Sequence, residues 1–372
     1  MKISEIISIL EQMSPLAYAE DFDNVGLLVG DKSLEITGVL VCHDALESVV
    51  DEAISKKCNV IVCFLPIIFS GLKKITGKDY VERSIIKAIK NDIAIFAVHT
   101  ALDNHQEGVN KIFCNALGLI NTRVLVPKNN FIQKLITYTT LENAEKVRNA
   151  LFAAGAGRIG SYENCSFNST GKTTFQGNED SNPVVGKKFE FVENDEVKIE
   201  VTFEKHLQNQ ILKALFVNHV YEEVAYEIYN LENKHQNIGL GMIGELENEM
   251  DENEFLEFVK IKMKAQGIRH SEFLNKKVKR IAVLGGSGSL FIKQAIAAGA
   301  DVFLTADLKY HNFYESENQV LLADIGHFES ERYTKDYIFD YLKKKIINFA
   351  NSNLVNNIYL SNVNTNPVKY LL

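Results

Sequence analysis

The chain has 372 residues, of which 46% are apolar and 24% charged, with a formal net charge of −8. That is too long for one typical domain and apolar enough to build real cores, so wholesale disorder is excluded and two or three domains are expected. The acidic balance argues against broad nucleic-acid or anionic-membrane binding, and no stretch approaches the ~18 apolar residues of a bilayer span.

The five cysteines, Cys42, Cys58, Cys63, Cys114 and Cys165, form no C-x-x-C pair. Their odd count and scatter fit a reducing compartment, so the cytoplasm is the expected location. The opening MKISEIISILEQMSP places Ile3, Ile6, Ile7 and Leu10 at helical spacing but carries Glu5 and Glu11. It predicts an amphipathic helix and not a signal segment.

The first third then alternates. Apolar runs at residues 36–43, Cys58–Phe64 and Ile93–Val98 predict strands, and Ala45–Lys57 and Tyr80–Asn91 predict helices. Continuous apolar runs between amphipathic helices indicate a parallel sheet covered on both faces, with ligand sites beyond the carboxyl ends of its strands. Those ends are His43–Asp44, Phe64–Leu65–Pro66 and His99–Asp103.

After Pro127 the character changes. A strand is expected over residues 131–139 and a helix over Leu141–Ala154. Asn164–Asn182, rich in Ser, Thr, Asn and Gly, reads as a loop or twisted hairpin. Lys187–Phe203 reads as strands around a turn at Glu193–Asn194–Asp195, His206–Ala214 as a helix, and Tyr221–Asn230 as a last strand. The order β-α-β-β-α-β is a ferredoxin-like α+β pattern. The chain is therefore divided at 1–128, an inserted domain at 129–236, and 237–372, the outer segments being two α/β halves of one unit.

The last third returns to α/β alternation. Helices are expected over Glu252–Gln266, Leu290–Ala298 and Glu331–Lys345, and strands over Arg280–Leu284, Asp301–Thr305 and Val320–Ile325.

Four local patterns carry chemistry. His327 and Glu331 lie four residues apart after an apolar run. On a helix they share one face, and both are ligands for a divalent first-row metal, although the same spacing describes many solvated helix faces. Asp103, past a buried strand, either completes that site or caps the following segment. Asp307 and His311 are also spaced for one helical face. As an Asp–His pair they would orient a general base or a metal neighbour, or Asp307 would simply satisfy helix N–H groups. Gly285-Gly286-Ser287-Gly288 either points backbone N–H groups at a phosphate or makes a tight strand–helix turn; it lacks the features of a Walker A loop.

These pieces together resemble one family, the type 2 homologues of GTP cyclohydrolase I. The resemblance rests on Phe22–Gly30, Pro66–Gly71, His99–Asp103 with Gly108-Val109-Asn110, Gly285–Gly288, Thr305–His311 and Gly326–Glu331, which occur in the family's order at both ends of the chain. It implies a metal-dependent hydrolase of a nucleotide or phosphoester, a toroidal homohexamer with a metal pair facing an inner cavity, and a CutA- or PII-like insertion. The implied metal ligands are Asp103, His327 and Glu331, the last bridging. The cofactor would be a divalent cation such as zinc, manganese, iron or magnesium, and a small phosphate-bearing molecule the ligand. One departure is conspicuous: where the family places two adjacent histidines before a proline, this chain has Phe64-Leu65-Pro66. Neither side chain can donate a lone pair, which implies a depleted site holding one ion or holding it weakly. His43 and His99 are the histidines near enough in sequence to substitute. A non-enzymatic hexameric scaffold with a vestigial site is the competing expectation.

Overall fold

The computed structural model describes residues 1–347 and 352–371. The chain divides into two compact units, one built from Met1–Pro127 with Gln236–Leu372 and the other from Lys128–His235. The α/β class expected from the sequence holds for the first.

That first unit contains two sheets. One runs Gly26–Val29, Ala94–Ala97, Val60–Leu65, Val39–Asp44, Ile358–Leu360 in spatial order. Its last four strands are parallel, and Gly26–Val29 pairs antiparallel with Ala94–Ala97 at the edge. Burial on both faces explains the continuous apolar runs. Val39, Val41, Val60, Val62 and Phe64 enter a core shared with the helix Ile3–Met13. Leu40, Cys42, Ile61 and Cys63 point into the opposite core, against the helices Glu47–Ser55 and Tyr80–Lys90.

The second sheet runs Arg269–His270, Leu321–Asp324, Val302–Ala306, Lys277–Ser287, His235–Asp251, Ile120–Lys128. Leu321–Asp324, Val302–Ala306 and Lys277–Ser287 are parallel to one another. Ile281 and Val283 face one core and Ala282 and Leu284 the other, the period-two alternation of a doubly covered strand. The helix expected over Glu331–Lys345 is found at Thr334–Ile347, and a separate short helix, His327–Glu331, precedes it. The break gives His327 and Glu331 a short turn of their own.

The unit Lys128–His235 has strand order Phe167–Gln176, Phe191–Glu204, Ile132–Thr140, Tyr226–Leu231, every neighbouring pair antiparallel. Helices Ala144–Ala153 and Gln208–Asn218 pack on it through Val147, Leu151, Ile211 and Leu215. This is the ferredoxin-like arrangement; of the two alternatives for Asn164–Asn182 the hairpin holds and the loop does not, and one further expectation fails. Asn164–Asn182 contains a regular strand, Phe167–Gln176, and no turn interrupts Phe191–Glu204 at Glu193–Asn194–Asp195. Those three residues instead pair with Thr174, Thr173 and Lys172, and Lys172 bonds Glu193. The polar residues that suggested a turn lie in a largely solvated hairpin, where ladder hydrogen bonds decide the conformation.

Candidate metal centre

The carboxyl ends of the parallel strands in the first unit bring the chemistry together. His43 stands near the end of Val39–Asp44, and register places it beside Phe64 on Val60–Leu65. Asp103 closes the short helix His99–Asp103, which follows Ala94–Ala97. Asp307 follows Val302–Ala306, and His327 and Glu331 bound the turn after Leu321–Asp324.

Glu331 is the centre of the cluster. It is 3% exposed, and its Oε2 is buried with no hydrogen-bond partner. That oxygen lies 3.4 Å from Nε2 of His327 and 3.7 Å from Nε2 of His43, ion-pair distances longer than a well-formed hydrogen bond. Asp103 retains some exposure as a residue, but its Oδ1 is sealed and also unpartnered. Burial pushes its carboxyl up to about 8; His99 opposes this and Glu331 adds to it. Unsatisfied buried carboxylate oxygens are costly, and Asp103 and Glu331 each carry one.

Two histidines are oriented by carboxylates. Nδ1 of His327 meets Oδ2 of Asp307 at 2.6 Å, leaving Nε2 for the cluster. Glu331 first, against the cost of burial and with help from Asp307, pushes His327 up to about 11, which favours the imidazolium. Nδ1 of His99 meets Oδ1 of Asp23 at 2.8 Å, and Asp23 is held in turn by the backbone and hydroxyl of Thr100. Burial disfavours the His99 imidazolium, but the Asp23 bond and the carboxylates of Asp103 and Glu331 outweigh it and raise its pKa. Such carboxylate–histidine pairs are the usual outer support of metal ligands.

Glycine supplies the clearance. Gly286 has φ +69°, and a Cβ there would lie 2.6 Å from Oε1 of Glu331. The segment is pinned by bonds from the Gly285 N–H to Asn110 (3.0 Å), from the Gly286 N–H to Ser330 (2.9 Å) and from the Thr305 hydroxyl to the Gly286 carbonyl (3.0 Å).

This corrects the reading of Gly285, Gly286, Ser287 and Gly288 as a phosphate cradle. The first two N–H groups are consumed internally, and the loop's small side chains make room for Glu331. The pairing of Asp307 with His311 also fails. Asp307 takes a left-handed conformation, φ 56°, outside any helix, and reaches His327 instead. His311 is exposed on the following turn, edge-on to Tyr310 at 5.1 Å. Asp103 feels the charges of Glu331 and His327, and His327 lies 3.4 Å from Glu331. Asp23 and Asp307, as supports of His99 and His327, were not separable by sequence spacing, since their partners lie 76 and 20 residues away.

Among the described residues no three ligand groups stand close enough to form a finished cage. The donor types are those a divalent cation takes, imidazole nitrogens and carboxylate oxygens, and two of the oxygens are buried without partners.

A family model described as Duf34/NIF3 (NGG1p interacting factor 3) matches residues 1–367. The chain belongs to the NIF3 family. A NIF3-related protein of Bacillus cereus has a solved structure 38% identical, with TM-score 0.86, covering 100% of this chain and 99% of that one. A Staphylococcus aureus structure follows at 32% identity and TM-score 0.77, covering 100% and 99%. Curated relatives named GTP cyclohydrolase 1 type 2 homolog include one from Bacillus subtilis, 39% identical over 99% of this chain and 98% of its own. Another, from Staphylococcus epidermidis, is 35% identical over the whole of both. Among the described residues no helix is long and apolar enough to cross a membrane.

Proposed function

We propose that this NIF3-family chain is a cytoplasmic divalent-metal protein that hydrolyses a phosphoester of a small molecule or nucleotide. The observation that carries the reading is the orphaned Oε2 of Glu331, buried between two imidazoles with Asp103 beside it. Asp103, His327 and Glu331 would hold the ion. When bound, a cation such as zinc, manganese, iron or magnesium polarises a phosphoryl oxygen and acidifies water.

The chain's own groups do the rest. Asp307 keeps Nε2 of His327 turned inward, and His99, backed by Asp23, is placed to hold or release a proton at the edge of the site. A cavity of about 140 Å³ opens beside His43 and His327, lined also by Leu65, Phe328 and Tyr370. It holds a few waters at ~30 Å³ each, well under the ~300 Å³ of pockets that engulf a whole ligand. That supports a phosphoryl group, and not a purine ring, as the part that enters. The toroidal homohexamer and the CutA- or PII-like character of the ferredoxin-like unit belong to this reading through the family resemblance.

One observation favours a scaffold with a vestigial site. Phe64 is fully buried in the apolar core and fills one side of the centre with hydrocarbon. Turnover of a panel of nucleotides and phosphoesters with added manganese separates the two. Phosphate release abolished by Glu331→Gln supports hydrolysis. No release from wild type, with release after Phe64→His and Leu65→His, supports the scaffold.

A further inference from the structure

We infer that the unit Lys128–His235 binds a small organic cation, an ammonium group carried on an apolar body, in a cavity on the sheet face that its helices leave uncovered. The inference concerns a different unit from the metal reading and does not depend on it.

Side-chain alternation makes the site. Leu135, Val197 and Ile199 face the helices and join Ile211 and Leu215 in the unit's core. Residues one position away point to the opposite face. By the ladder register, Tyr138 on Ile132–Thr140, Glu196 on Phe191–Glu204 and Glu227 on Tyr226–Leu231 stand there. The loop between Phe167–Gln176 and Phe191–Glu204, together with the segment just before Tyr226–Leu231, walls a cavity of about 540 Å³ beside them. That volume falls within the ~300–1,000 Å³ of pockets that take a small molecule.

The charge of the cavity has one sign. Glu196, Glu222, Glu223 and Glu227 line it, and among the described residues no lysine, arginine or histidine does. The nearby lysines are engaged elsewhere: Lys198 with Glu200 at 2.5 Å, Lys134 with Glu200 at 2.9 Å, and Lys172 with Glu193. Glu196 is 4% exposed, and its Oε1 accepts a bond from the Tyr221 hydroxyl. The Tyr138 hydroxyl donates to both oxygens of Glu227, at 3.3 and 3.4 Å. Burial first, then the adjacent glutamate, raises the pKa of both phenols, so they stay neutral donors and leave the carboxylate charge uncompensated. A carboxylate held out of water beside neutral partners alone is costly, and a cation in the cavity would offset that cost.

The surroundings choose the kind of cation. Among the described residues no three His, Cys, Asp or Glu groups come close enough to hold a metal ion, so these carboxylates are spread for something larger. Tyr138, Phe175 and Tyr221 bring aromatic rings to the lining, and such rings attract ammonium groups. Pro183, Val184 and Val185 supply apolar wall for the body that carries the charge. Oγ1 of Thr173, also on the lining, is buried without a partner and can accept an ammonium N–H. A phosphate-bearing molecule would be repelled by the same carboxylates.

The inference is tested by isothermal titration calorimetry of the full-length protein with phenethylammonium, its neutral counterpart phenethyl alcohol and the anionic phenylacetate. Wild type should take up about one phenethylammonium per chain and bind the other two at least ~10-fold more weakly, the loss expected for one charge-assisted contact. That comparison needs no variant. Glu196→Gln and Glu227→Gln keep the side-chain shape, and each should weaken phenethylammonium binding at least ~10-fold. Glu145→Gln, exposed on the helix Ala144–Ala153, should change nothing. Equal or tighter binding of the alcohol or the anion overturns the assignment of a cation. Unchanged affinity in both cavity variants puts the amine elsewhere and overturns the site. No uptake of phenethylammonium by wild type overturns the inference outright.

Discussion

Replacing Gly286 with alanine tests whether that glycine exists to make room for Glu331. The added methyl would lie 2.6 Å from Oε1 of Glu331 and 3.4 Å from Nε2 of His327, where ordinary contact begins at 3.4 Å. The carboxylate would have to retreat by roughly 0.8 Å, several times the ~0.2 Å tolerance of metal–ligand distances. Gly118 is a matched control, with the same φ of +69° and nothing within 4 Å of an added methyl. Both variants carry the left-handed penalty of an L-residue, ~1–2 kcal/mol. Gly286→Ala adds overpacking against a buried side chain, ~1–3 kcal/mol, for a total of ~2–5 kcal/mol. Urea unfolding of the metal-free proteins should therefore rank Gly286→Ala below Gly118→Ala, and chelator competition should show at least ~10-fold weaker binding in Gly286→Ala alone. Equal stability losses with unchanged metal affinity would refute the clearance argument.

Three further outcomes follow from the same structure. Asp307→Asn removes the charge behind His327 and should weaken metal binding ~10–100-fold in the same titration. Phe64→Ala empties a fully buried core position and should cost ~3–5 kcal/mol of unfolding free energy, measured by urea denaturation. Glu82 accepts bonds from the N–H groups of Thr76, Gly77 and Lys78 and from the Thr76 hydroxyl, and the Thr76 N–H above all lowers its carboxyl to about 2. A depressed acid stabilises the fold above its ordinary pKa of 4.5, and that contribution fades as pH falls toward about 2. Thermal melts should show Glu82→Gln with a lower Tm at neutral pH and a shallower loss of stability across that acid window.

The parallel strands were legible because burial on both faces wrote them as unbroken apolar runs, as in residues 60–64. The strand Phe167–Gln176 was not, since it is exposed along most of its length and offers no alternation. Only its partner across the ladder makes it regular. The short separate helix His327–Glu331 ahead of Thr334–Ile347 was equally hidden, because helical spacing runs through both.

At the site, the four-residue spacing of His327 and Glu331 was readable, and family resemblance joined Asp103 to them. Sequence named His43 as a substitute, but its approach to Glu331 depends on strand register, which spacing does not encode. The glycine run was misjudged for a related reason. Whether a small residue frees its N–H for a ligand or yields space to a neighbour is decided by what packs against it, here Asn110, Ser330 and Glu331.

The most direct measurement is elemental analysis of full-length protein purified without chelator. The depleted centre proposed above predicts about one divalent ion per chain, retained through gel filtration and lost in Glu331→Gln. No bound ion, or two tightly held ions beside an intact Phe64 and Leu65, would contradict it.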